Sequence, residues 1–337
     1  MKKIWYLFVK YYMRTGFAFY FNKIQVSGVE NIPKKEAVMF VANHQNALVD
    51  PLLIGALTPR ELNFLTRSDV FSTPLIKVLL SSVNMLPIYR IKDGLNNLSK
   101  NEEVFQKCYS ILNNSGTILI FPEGNHNIKK RLRVLSKGFT RIVYGALEQN
   151  PEQDIYLIPI GINYTNAKKY GSSLHLIYGE AIKVRQQDVS DINFDLKKEM
   201  SESMKKLICH IEDLNHYDEI EASFKEEDFL NPVKVNEQVQ SLKLPVNKAQ
   251  QESNQFNFLE PFIKINSFIP ILIWKRFYPR IGEVEFIATF RFTLGITLFP
   301  LSYLIQALVI GYFFGSPIGF AYFIMSFLIA YLYVKSK

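Results

Sequence analysis

An α/β domain followed by a transmembrane helical hairpin is the fold class this sequence predicts, and three observations carry the prediction. Short apolar runs alternate with stretches of helical spacing across residues 24–215, a polar stretch occupies 231–256, and no Asp, Glu, Lys or Arg occurs from Phe292 to Val334. Alternating strands and helices are the mark of an α/β layer. About 20 apolar residues cross a bilayer as one helix, so the uncharged interval suffices for two crossings, with Gly315-Ser316-Pro317 as the turn.

Taken in order, residues 1–23 mix Lys2, Lys3, Lys10, Arg14 and Lys23 with nine aromatic residues, among them Trp5, Phe8 and Tyr11. Cations interrupt the apolar run, which argues against a cleavable signal peptide. The pattern suits an amphipathic segment at a membrane interface, or equally the first helix of the domain. Residues 24–28 alternate and turn, and Ala37 to Val41 reads as a buried strand. A helix is expected from Pro51, a strand over 63–66, a helix over 70–82 and a strand from Met85 that ends at Arg90. Val104, Cys108, Ile111 and Leu112 recur at helical spacing within 95–113. Gly116 to Phe121 is a further strand, running straight into Pro122-Glu123-Gly124. Helix 136–147, strands 155–164 and 174–179 and helix 194–214 complete the domain.

Residues 216–256 read as a polar linker or helix, and 257–291 as an interfacial segment interrupted by Glu260 and Lys264. Arg291, Lys335 and Lys337 bracket the hairpin, so both of its ends and the globular half are expected on the cytoplasmic side.

Net charge is +8, from 39 basic and 31 acidic residues. This suits an anionic partner: nucleic acid, an anionic membrane surface or a phosphorylated substrate. Cys108 and Cys209 have no metal-ligand spacing and form no disulfide pattern. Cys108 reads as a core thiol.

The chemistry gathers at Asn43-His44-Gln45-Asn46-Ala47-Leu48-Val49-Asp50-Pro51, between a strand end and a helix start. A carboxylate beside a histidine fixes its tautomer and prepares a general base. Six residues on a regular helix turn roughly 600°, so His44 and Asp50 meet only across an irregular turn. The simpler alternative has Asp50 capping the helix and His44 bonding a strand-end carbonyl. Arg90, Glu123 and the cations Lys129, Lys130, Arg131, Arg133 and Lys137 fall at the ends of neighbouring strands. No GxSxG elbow, HExxH helix, phosphate-binding loop or dinucleotide fingerprint is present. A base without a conspicuous nucleophile, beside arginines and a membrane anchor, suits acyl transfer to a phosphorylated alcohol.

The set His44…Asp50, Arg90, Phe121-Pro122-Glu123-Gly124 and Ile158-Pro159-Ile160 resembles, in order and spacing, the four blocks of the glycerolipid acyltransferases over residues 24–185. That resemblance implies a mixed sheet flanked by helices, with His44 as general base and Asp50 orienting it. It assigns Arg90, Glu123 and Gly124 to the acceptor phosphate and Pro159 to the acyl-donor block. Most members have four residues between the histidine and the aspartate. Here there are five, Gln45 to Val49, with Asn43 before the histidine, Asn46 within the block and Val-Asp-Pro closing it. This is similar to fungal glycerol-3-phosphate/dihydroxyacetone-phosphate acyltransferases, which also place a histidine after Glu-Gly, as His126 does. Asn125-His126 replaces the Thr-Arg of many lysophosphatidate enzymes, so Arg131, Arg133 or Lys137 is expected to complete the phosphate clamp.

The implied activity is O-acyl transfer from acyl-CoA or acyl carrier protein to lysophosphatidate or glycerol-3-phosphate at the cytoplasmic membrane. It requires neither metal nor organic cofactor, and no nucleic acid. The alternatives are a different lysolipid or amino-acid lipid acceptor, and a catalytically silent lipid binder.

Overall fold

Strand β2, Ala37–Ala42, shows why the domain is layered as it is. All six of its residues are fully buried, as a continuous apolar run requires when both faces of a strand are covered. Val38, Phe40 and Ala42 enter one core, and Ala37, Met39 and Val41 enter the other. The computed structural model describes residues 1–89, 100–189, 194–241 and 257–337.

Among the described residues the sheet has eight strands: β1 (Ile24–Ser27), β2, β3 (Asn63–Arg67), β4 (Met85–Ile88), β5 (Thr117–Ile120), β6 (Ile155–Tyr164), β7 (Leu174–Tyr178) and β8 (Ile182–Val184). Their order is β1-β7-β6-β2-β5-β3-β4, with β8 also on β6. Strands β4, β3, β5, β2 and β6 run parallel, while β7 and β8 lie antiparallel to β6. The sheet is therefore mixed. Pro159 falls between the β6 residues paired with β8 (155–157) and those paired with β7 (160–164). A strand tolerates a residue without N–H at such a junction.

Helices α1 (Lys2–Ala18) and α2 (Val49–Leu57) cover one face, through Phe17, Leu53 and Ile54. A third helix, α3 (Pro74–Ser82), follows β3 with Thr73 as its N-cap. The other face is covered by α4 (Lys100–Asn113) and α5 (Gly138–Gln149); the short α6 (Gln186–Val189) is followed by α7 (Leu196–Leu207), which completes that face. Cys108 and Cys209 are buried free thiols, each pushed up to about 12 by burial. Neither is a nucleophile in that state.

The helix expected over 194–214 stops at Leu207. Ile208 turns extended, the Cys209 N–H goes to Asn163 Oδ1, and the Ile211 N–H goes to the Lys130 carbonyl. Those bonds replace the helical ladder and stitch the segment to the loop after β5. Helices α8 (Tyr217–Ser223) and α9 (Pro232–Gln240) follow and pack with Cys209 around Phe224, Phe229 and Val235. Arg90, residues 95–99 of the expected helix and residues 242–256 lie outside the described residues.

Past the polar stretch, α10 (Glu260–Asn266) and α11 (Phe268–Phe277) lead to two long helices, α12 (Phe286–Phe314) and α13 (Ser316–Lys335). Both are long and apolar enough to cross a membrane. They join at Gly315, whose φ of 100° favours glycine, and they cross where Gly319 faces Ala307 and Gly311. Small residues at a crossing let helix backbones approach closely. The first turns of α12 belong to the domain core: Phe292 stacks on Phe17 at 4.3 Å, and a Cβ on Gly16 would lie 2.7 Å from Ile296. Helix α1 buries Tyr6 and Phe17 here and leaves Ile4, Phe8 and Tyr11 exposed.

Candidate active site

Because β2, β3 and β5 are parallel, the loops after them leave the same edge of the sheet, where α/β folds carry their sites. His44 follows β2 in one of those loops. Its Nδ1 lies 2.9 Å from Asp50 Oδ2. Asp50 stands in the first turn of α2, fully buried, and the chain between folds back upon its carboxylate. Gln45 and Asn46 each donate a backbone N–H to Oδ2 at 2.7 Å, and the Tyr164 hydroxyl donates to Oδ1 at 2.7 Å. This is the irregular turn that spacing demanded. The residues between His44 and Asp50 meet the carboxylate through successive backbone donors instead of a helical turn.

With a carboxylate accepting at Nδ1, the imidazole proton sits there and the Nε2 lone pair is available. Among the described residues nothing bonds Nε2, and the side chain keeps 14% exposure. The strand expected to end in Pro-Glu-Gly holds the rest of the residue. The His44 ring stacks on Phe121 with centroids 4.1 Å apart, its N–H donates to Glu123 Oε1 at 3.0 Å, and its carbonyl accepts from the Asn127 N–H at 3.0 Å. Asn43 clamps the strand end from the other side, exchanging two side-chain hydrogen bonds with the backbone of Ile162.

The other residues singled out by sequence separate into groups. Glu123 is almost wholly buried and spends Oε2 on Arg133 Nε at 2.7 Å. It braces His44 from beneath, with Oε1 accepting from the His44 N–H and Oε2 from Arg133. Gly124 turns the loop at φ 72°, a conformation that favours glycine. Arg133 also donates to the Asn125 carbonyl, Arg131 lines a water-sized cavity with Asn43 and Gln45, and Lys137 is exposed at the start of α5. Pro159 is buried inside β6, in register with Val41 of β2 and packed against Gly179. His126 joins the site, with its ring 5.7 Å from that of His44.

Sequence reasoning missed the wall contributed by the start of α12. The Ala47 N–H donates to the Glu285 carbonyl at 3.3 Å, the Leu48 N–H donates to Thr289 Oγ1 at 3.0 Å, and Phe286 meets the edge of His126 at 5.1 Å. Backbone N–H groups from His44 to Leu48 are thus all engaged. Nothing in the pattern linked residues 285–289 to a loop so far upstream. Thr289→Val leaves the Leu48 N–H without its acceptor, at a cost of roughly 1–3 kcal/mol. The expected result is a several-fold fall in turnover and a lower unfolding midpoint in detergent, with Thr289→Ser close to wild type in both.

A half-buried, oriented histidine with a free nitrogen at a sheet edge is the equipment of a general base. Residues 23–163 match the family model described as Acyltransferase. Over this stretch the chain is similar to the acyltransferase family. Within it lie β2, β5, the His44–Asp50 pair and the Pro-Glu-Gly turn.

The chain is similar to two kinds of protein. Glycerol-3-phosphate O-acyltransferase 2 of Saccharomyces cerevisiae is 32% identical over 84 residues, covering 25% of this chain and 11% of the yeast protein. The 1-acyl-sn-glycerol-3-phosphate acyltransferase of Borreliella burgdorferi is 28% identical over 116 residues, covering 34% of this chain and 44% of that one. In each case the matched segment is less than half of the relative. The crystal structure of the 1-acyl-sn-glycerophosphate acyltransferase of Thermotoga maritima aligns with a TM-score of 0.47 at 19% identity, covering 66% of this chain and 83% of that chain.

Proposed function

We propose that the chain is a membrane-anchored O-acyltransferase that moves a fatty acyl group from a thioester, acyl-CoA or acyl carrier protein, to a glycerol-phosphate acceptor. The observation that carries this reading is the 2.9 Å His44–Asp50 contact with Nε2 left unbonded at the sheet edge. His44 Nε2 takes the proton of the acceptor hydroxyl as its oxygen attacks the thioester carbonyl. Asp50 holds the imidazolium that forms. Collapse of the tetrahedral intermediate expels the thiolate, which recovers the proton from His44. The oxyanion's donors are not the backbone N–H groups of residues 44–48, which are in use.

Arg90 is assigned to the acceptor phosphate, as the resemblance implies; Lys137 and the Arg131–Arg133 segment are assigned to it because Asn125-His126 stands where many lysophosphatidate enzymes have Thr-Arg. Arg90→Ala is expected to raise the acceptor KM about ten- to a hundredfold with a smaller change in kcat, the worth of one charged hydrogen bond. An unchanged KM removes Arg90 from that role.

In the proposed arrangement α12 and α13 cross the cytoplasmic membrane, residues 1–23 and 257–291 lie at its surface, and the globular half faces the cytoplasm. The exposed apolar faces of α12 and α13, at Leu308, Tyr312 and Phe320 for instance, support this. The five-residue interval and the yeast relative's name favour glycerol-3-phosphate as acceptor, and the bacterial relative's name favours a 1-acyl acceptor. Acyl transfer by purified membranes, with both acceptors offered in parallel and a long-chain thioester as donor, tests the reading. Product from at least one supports it; product from neither, with an active control enzyme alongside, contradicts it.

A further inference from the structure

Beside the His44–Asp50 pair lies a second group of side chains that the acyl-transfer chemistry does not use. His126, from the loop after β5, meets Glu283 and Glu285, from the segment leading into α12. One ring nitrogen and one oxygen from each carboxylate lie within 4.8 Å of one another. His126 Nε2 is 3.9 Å from Glu283 Oε2, too far for a hydrogen bond.

His126 is only 6% exposed, yet neither of its ring nitrogens has a hydrogen-bond partner among the described residues. Burying such a group unpaired is costly. A neutral imidazole offers a metal a lone pair on one of its ring nitrogens. Glu283 is 65% exposed at the side chain, and Glu285 is held in place through its carbonyl bond to Ala47. The two carboxylates are the wrong sign for a site that receives a phosphate next to His44. A cation between them and a neutral imidazole would satisfy one of the two orphaned nitrogens and reverse that sign.

We propose that His126, Glu283 and Glu285 bind a divalent cation of the Mn²⁺ class, which takes a phosphate oxygen of the acceptor at one of its open positions. Two carboxylates and an imidazole without a thiolate suit Mn²⁺ over the softer metals, and three protein ligands leave room for outside oxygens. The phosphate half of the proposal rests on the acyltransferase reading above; the cation half does not. The site unites residues too far apart in sequence for ligand spacing to reveal it.

The test uses the full chain in detergent, stripped with a chelator and titrated with Mn²⁺ while free Mn²⁺ is followed by electron paramagnetic resonance. One saturable site per chain is expected in the wild type and in His44→Ala. Affinity should fall at least tenfold in the Glu283→Gln, Glu285→Gln double variant, in which Glu283 is exposed, Glu285 is half-buried and both changes keep the side-chain shape. Absence of saturable binding, or binding indifferent to the double substitution, overturns the cation site. With Mn²⁺ bound, the ³¹P resonance of glycerol-3-phosphate should broaden in the wild type and in His44→Ala, but not in the double variant. Equal broadening in all three overturns the phosphate role. Retained Mn²⁺ binding by a wild-type protein that transfers no acyl group would count against the acyltransferase reading alone.

Discussion

Replacing His44 by alanine is expected to lower turnover by about a hundredfold to ten-thousandfold, the range that general-base catalysis supplies. The substitution removes the nitrogen at the sheet edge and leaves Asp50 with its two backbone donors and the Tyr164 hydroxyl. The ring is partly exposed and stacks on Phe121, so its loss vacates the mouth of the site without opening the core. Membrane insertion and the unfolding midpoint should stay near wild type. An acyl-transfer rate within tenfold of wild type would refute the assignment of the base.

Asp50→Asn is expected to cost both activity and stability. Four donors converge on this carboxylate: His44 Nδ1, two backbone N–H groups and the Tyr164 hydroxyl. Burial and then Asp50 itself raise the Tyr164 pKa well above its ordinary value, so the hydroxyl remains a donor across the working pH range. An amide offers one accepting oxygen and presents an NH₂ to the remaining donors. Leaving a buried donor unsatisfied costs roughly 1–3 kcal/mol, and here at least one is left so. The amide also lets the imidazole adopt the wrong tautomer, which in comparable dyads is worth about ten-thousandfold in kcat. The expected outcome is a kcat at least a hundredfold below wild type together with a clear fall in unfolding midpoint. Tyr164→Phe, which removes one donor and leaves the dyad, should lose less than tenfold. If Asp50→Asn were near wild type in turnover, Asp50 would be only a helix-terminal residue.

How much of this was legible in sequence follows from how local each feature is. The apolar run Ala37 to Val41 and the turn Phe121 to Gly124 each carry their meaning within a few residues, and both strands stand where periodicity puts them. The His44–Asp50 contact was ambiguous because six residues of regular helix would separate the side chains. The bonds from Gln45 and Asn46 that close the gap are backbone bonds, which leave no mark on residue identity. Glu123 was legible as a site residue but not as a brace, because its partner Arg133 sits in a run of cations with nothing in sequence to single out the one that meets it. The end of helix α7 was set by Asn163 and Lys130, contacts from elsewhere in the chain. Thr289, Glu285 and Glu283 were invisible for the same reason. Their relation to the site exists only once α12 is docked against α1 and the loop after β2.

The central claim is that His44 drives direct attack by an acceptor hydroxyl on a thioester, with no acyl group resting on the protein. A single-turnover experiment with purified chain and a thioester labelled in its acyl group tests it most directly. The account predicts that label passes to the glycerol-phosphate acceptor in the wild type, that none passes in His44→Ala, and that the protein carries no label when acceptor is withheld. Label bound covalently to the chain without acceptor, or transfer that survives the loss of His44, would contradict it.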